Sequence, residues 1–126
     1  MKTHGEIEAA VCEGFARFVQ DFMGRGPKEI RAHLVVDMVV VRLRGILSAA
    51  EISLAAVLPP EKGRDMLKTV RTYLLESSSD KLRLIIESTT GSRCTSMYHD
   101  VSTLVNEEIF VFTLHDAPVV REAKRT

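Results

Sequence analysis

Between positions 24 and 31 the chain reads Gly24-Arg25-Gly26-Pro27-Lys28-Glu29-Ile30-Arg31. Two glycines leave backbone amides open, and the cations Arg25, Lys28 and Arg31 stand close by. Such a loop can hold a phosphate, a carboxylate or bicarbonate. It follows a helical segment, however, and the C-terminal end of a helix is the negative end of its dipole. It has neither a Walker lysine pattern nor a Gly-x-Gly-x-x-Gly run behind a strand. A C-cap at Gly24 with a stop at Pro27 is the commoner use of these residues.

A second cationic group is Arg64, Lys68 and Arg71, at i, i+4 and i+7 on one helical face. With Arg42 and Arg44 of a nearby strand it could line an anion pocket or a partner surface. The ordinary expectation is a solvated face opposite a Leu67, Val70, Leu74 stripe, with Arg71 able to pair with Glu51 or Asp100. The anion-binding candidates are therefore Gly24, Arg25, Gly26, Lys28, Arg42 and Arg71. The metal-capable side chains His4, His33, His99, His115, Cys12 and Cys94 lack the close spacing of zinc motifs, so no metal is expected. Cys94 and His99 would make a thiol–imidazole dyad, but five positions along one strand point them to opposite faces. Ser48 is better used as a helix cap. No catalytic residue and no cofactor is expected.

These residues need elements to position them. Ile7, Val11, Phe15, Phe18 and Phe22 recur at helical spacing, predicting a helix over 3–23. The β-branched run from 31 to 44 predicts strands at 31–36 and 38–44, turning at Asp37. Ser48 and Glu51 form a capping box ahead of a short helix to about 57, which Pro59-Pro60 ends. Leu67, Val70, Leu74, Leu82 and Ile85 predict one long helix over 61–89, weakened at Ser77-Ser78-Ser79, and Gly91 terminates it. Strands follow at 92–100 and 107–115, then a charged, frayed tail over 116–126. The order α-β-β-α-α-β-β implies an α+β two-layer sandwich on a four-stranded, mainly antiparallel sheet. The last strand is apolar on both faces, Ile109 and Val111 opposite Phe110, Phe112 and Leu114. Either a homodimer covers an open sheet face or edge, or the first and the long helix cover opposite faces.

The 126 residues suit a single domain, with its core over about 5–115. Seventeen basic residues balance seventeen acidic ones, which argues against a general nucleic-acid binder. Two separated cysteines read as reduced thiols, and the N-terminus has no signal pattern, so a cytoplasmic location is expected. The run from Leu34 to Val41 is broken by Asp37 and falls short of the ~20 residues of a membrane helix, so no membrane insertion is expected.

Gly24-Arg25-Gly26-Pro27 after an amphipathic helix, the run Val-Val-Val-Arg-Leu-Arg-Gly-Ile-Leu-Ser-Ala-Ala-Glu (39–51), His99-Asp100 and the Phe-rich final strand (109–114) together resemble the MpsC-type family. The resemblance covers about 5–115. Arg25 stands where that family often has lysine, and Ser48 where it often has threonine; both keep a basic side chain and a capping hydroxyl. The family takes its name from a membrane-potential-generating, sodium-linked bicarbonate transport system. The resemblance implies a small, soluble protein that is not itself a transporter, and it supplies no catalytic residue. The expectation is a non-catalytic accessory or regulatory protein of the cytoplasm, working by protein–protein contact as a homodimer or on a membrane transport protein. The alternative is a small-anion or nucleotide sensor.

Overall fold

The computed structural model describes residues 1–122. Helix α1 spans His4–Met23. Thr3 caps it, accepting from the Glu6 amide while Glu6 accepts from the Thr3 amide, so two orphan donors are satisfied together. Gly24, at φ 81°, closes it by donating to the Gln20 carbonyl. Its buried stripe is Ile7, Val11, Phe15 and Val19. Phe18 and Phe22, expected on that stripe, instead stack on each other at its margin with ring centroids 5.3 Å apart.

Strands β1 (Glu29–Val35) and β2 (Met38–Arg44) form a hairpin with Val35 opposite Met38. The two-residue loop places Val36 at φ 56°. After α2 (Ala49–Val57) come α3 (Pro60–Glu76) and α4 (Ser79–Thr90), where a single long helix was expected. The break falls at the serine run: the Ser77 hydroxyl donates to the Leu74 carbonyl at 2.7 Å, offering the backbone a local alternative to continuing the helix. Gly91, at φ 74°, ends α4. Strands β3 (Cys94–Ser102) and β4 (Glu107–Leu114) complete an antiparallel sheet in the order β1-β2-β4-β3. The fold is thus the expected α+β sandwich with one helix more, α-β-β-α-α-α-β-β.

All the helical cover lies on one face. Phe15 of α1 meets Phe110 and Phe112 edge-on at 5.3 and 5.8 Å. Arg71 of α3 bonds Glu108, which shares the strand face of those phenylalanines. The first and third helices therefore share a side, and the opposite-face arrangement does not occur. The outer face carries Val40, Ile109 and Val111, half-buried by their neighbours, with Val35 and Tyr98 exposed. Arg42 and Arg44 pair there with Glu107. The free edge of β1 is engaged by α1: His4 Nε2 donates to the Leu34 carbonyl at 2.7 Å, and Glu8 accepts from the Leu34 amide at 2.8 Å.

Helix α2 is different from the rest. It is apolar on nearly every side, yet none of its residues is buried. It rests on α3 where Gly63 leaves room for Ala55; a Cβ on Gly63 would stand 2.9 Å from the Ala55 Cα. Past β4 the chain does not fray at once: the Arg121 amide donates to the Lys2 carbonyl, and its guanidinium reaches Glu6. The end of the expected tail, residues 123–126, lies outside the described residues.

Candidate functional site

The densest cluster of charge is buried. Arg71 on α3 donates through Nε and Nη2 to both oxygens of Glu108 on β4, each at 3.0 Å. Their side chains are 2% and 0% exposed. His99 on β3, 3% exposed, donates from Nε2 to Glu108 Oε2 at 2.8 Å, which makes Nε2 its protonated nitrogen when the ring is neutral. Its Nδ1 is buried with no partner among the described residues. Glu51 Oε2 stands 3.7 Å from Arg71 Nη1, while Glu51 Oε1 accepts from the Ser48 amide at 2.8 Å. The chain Ser48–Glu51–Arg71–Glu108–His99 thus ties the β2–α2 junction to α3 and to the two last strands.

The local sequence explains each placement. Arg71 occupies the middle of the buried α3 row Gly63, Leu67, Arg71, Leu75. Glu108 occupies the inner row Glu108, Phe110, Phe112, Leu114. His99 pairs in register with Phe110, their rings 4.7 Å apart. Burial pushes the Glu108 carboxyl up, but the hydrogen bonds and charges of His99 and Arg71 outweigh it and hold it below the ordinary glutamate value. The bidentate geometry fills the guanidinium fork and leaves no room for an added anion. The surface pockets that flank this part of the fold are lined by other residues, Asp100, Val101, Ser102, Glu107 and Ile109 in one and Ala55, Pro60, Glu61, Arg64, Thr103 and Leu104 in another.

The structure does not gather the anion-binding candidates. Arg71 is not on a solvated face with Arg64 and Lys68; it is buried, while Arg64 pairs with Asp65 and Lys68 with Asp100. Its pairing with Glu51 is present, as the minor contact beside Glu108. Arg42 sits on the outer sheet face against Glu107, so Arg42 and Arg71 are on opposite sides of the sheet. Arg25 donates to the carbonyls of Leu47 at 3.1 Å and Gly45 at 3.4 Å, bracing the linker into α2. The Lys28 stem lies over Gly45, and its amide donates to the Arg44 carbonyl. Gly24 and Pro27 close the helix, and Gly26 lies beside the Gln20 side chain.

Sequence reasoning missed two residues here. Glu108 carries a readable signal, since an acid shares strand parity with Phe110, Phe112 and Leu114. Asn106 does not: at φ 54° it accepts from the Ile46 and Leu47 amides at 3.0 and 2.9 Å through one side-chain oxygen. Its grip and that of Arg25 meet on the same linker. The Cys94–His99 geometry also differs from expectation. A bulge at Thr95 shifts the strand phase, so both side chains face inward. Five strand residues still separate them by roughly 16 Å. The Cys94 thiol is pushed up by burial, as is that of Cys12, and neither is an activated nucleophile. Among the described residues, no three metal-capable side chains gather as ligands. No described helix is long and apolar enough to cross a membrane.

Comparison with known proteins places this arrangement. The family model described as "Na+-translocating membrane potential-generating system (MpsC)" matches residues 3–116. A curated relative, "Uncharacterized protein YbcI" of Bacillus subtilis (strain 168), is 32% identical over 113 residues, covering 90% of this chain and 89% of the relative. No solved structure matches the chain. The match takes in every helix and strand and each residue of the Arg71–Glu108–His99 network, and the chain belongs to the MpsC family.

Proposed function

We propose that this protein is a non-catalytic accessory or regulatory protein of the cytoplasm, acting as a single domain through protein–protein contact. We place its work beside a sodium-linked membrane transport system. The family description supports the setting. The observation that supports contact as the mechanism is α2. A helix apolar on nearly every side is ordinarily buried; this one spends a capping box, Ser48 with Glu51, on a segment in which no residue is fully buried and, of its apolar side chains, Ala55 alone packs partly against the core. Beside it, α3 exposes Met66, Val70, Tyr73 and Leu74. A partner surface explains both, since burying such side chains is the main gain in forming an interface. Arg25, Arg42 and Arg71 of the anion-binding candidates are spent on internal partners instead.

The test is photocrosslinking in the cell of origin from positions 52 and 73, one on each exposed helix. The expected result is a discrete crosslinked species from both positions, either a second copy or a membrane transport protein. A folded protein that crosslinks from neither position overturns the reading.

A further inference from the structure

We propose that the exposed face of α3 is a two-fold interface, on which a second copy of this chain packs its own α3 antiparallel. This rests on the contact reading above and names the occupant. Helix α3 carries two apolar rows. Gly63, Leu67, Arg71 and Leu75 face the core. Met66, Val70 and Tyr73, with Leu74 beside them, form the second row at spacings of four and three, and all four are exposed, Tyr73 at 73%. One apolar row seats a surface helix; a second row needs a second surface.

The ends of the row indicate what covers it. Lys62 stands one turn before Met66 and Glu76 one turn after Tyr73 on the same side of the helix. A two-fold interface must be self-complementary, with each end of the patch meeting the other end of its copy. Antiparallel pairing about Val70 does this: Met66 meets Tyr73 and Leu74 of the copy, the cationic end meets the anionic end, and the helix dipoles oppose favourably. Parallel pairing would set Lys62 against Lys62 and Glu76 against Glu76. Ile52, Leu54 and Val57 of α2 extend the apolar surface from the crossing at Ala55 and Gly63. Together these side chains offer several hundred Å², the same order as the ~800 Å² per partner of a standard interface.

The experiment uses the full chain, whose monomer mass is 14.1 kDa. Light scattering after size exclusion at micromolar concentration should give twice that mass. Tyr73→Glu and Val70→Glu should each return it to the monomer mass with an unchanged far-UV circular dichroism spectrum, because both side chains are exposed on the single chain, and with a melting temperature lowered only by the loss of the second copy. Val70→Cys, near the axis, should form a disulfide-linked dimer on mild oxidation, while Leu84→Cys, at an exposed position of α4, should not. A monomer at every concentration overturns the proposal, and so does a dimer that survives both glutamate substitutions. The contact reading fails separately: a monomer that still crosslinks another protein from position 73 sinks self-pairing alone, whereas no crosslink to anything sinks both.

Discussion

Arg71 and Glu108 meet in a bidentate ion pair with both side chains excluded from water, joining the third helix to the last strand across a sequence separation of 37. A guanidinium and a carboxylate lose much hydration on burial, and their attraction offsets that only because the geometry is closed and His99 takes the remaining demand of one oxygen. The pair is therefore a better guarantor of register between α3 and β4 than a source of net stability.

Removing one partner should be far worse than removing both. Arg71→Leu leaves the Glu108 carboxylate buried with only His99 beside it, and should cost about 3–5 kcal/mol. Arg71→Met with Glu108→Leu removes the uncompensated charge, and should be less destabilised than the single change by at least about 2 kcal/mol. Urea unfolding of the three proteins measures both quantities. A double variant as unstable as Arg71→Leu would show that the pair does not act as a unit.

The same pair sets an acid limit. The folded-state Glu108 value lies below its ordinary 4.5, so folding favours the ionised form. The stability this contributes is fully present above about pH 4.5 and is lost as pH falls through the folded value. The melting temperature should therefore vary little with pH near neutrality on account of Glu108, and drop in acid. Glu108→Gln should flatten that acid slope even though it lowers stability at pH 7. Exposed acids held low by neighbours, such as Glu6 beside Thr3, contribute little to the slope. An unchanged acid slope in Glu108→Gln would assign the limit to other groups.

At the β1–β2 turn, Val36 holds φ 56° in a two-residue hairpin loop, a position that favours glycine. A β-branched residue is strained there, and Val36 is exposed, so its side chain gives back little. Val36→Gly should raise stability by about 1 kcal/mol, the left-handed penalty less the added freedom of the unfolded chain. Chemical denaturation reads the change. A destabilised glycine variant would mean that the valine side chain supports the turn in a way its exposure does not suggest.

What could be read from the sequence was local. The Ser48–Glu51 box, the caps at Gly24 and Gly91 and the hairpin around Asp37 each depend on residues a few positions apart, and each is present. Where the expectation failed, a distant partner or a single inserted residue decided. Arg71 looked like part of a solvated cationic face because its acid lies in another element. Leu74 and Val70 looked like core because an apolar spacing cannot say which of two rows faces inward. The Thr95 bulge offsets Cys94 by one position from the alternation of the rest of β3, and no residue type near it announces that. The Ser77–Ser78 break was visible as a weakness, but only the competing Leu74 carbonyl bond turns a weakness into a stop.

Asn106 offers the sharpest test of how the linker into α2 is held. Its backbone carbonyl accepts from the Gly45 amide at 2.9 Å, and its side-chain oxygen accepts from Ile46 and Leu47. It also holds a positive φ, so two roles are superimposed. Asn106→Gly keeps the conformation and loses the side-chain bonds; Asn106→Ala loses both. Leaving two part-buried amides without partners should cost about 1–3 kcal/mol in the glycine variant, and the alanine variant should lose about 1 kcal/mol more. If α2 presents a partner surface, loosening its linker should also free the surface. Hydrogen exchange over 46–57 should then accelerate in both variants, while exchange in β4 beyond Phe110 stays slow. Equal stability of the glycine variant and the parent would mean that Arg25, through the Leu47 and Gly45 carbonyls, holds the linker alone.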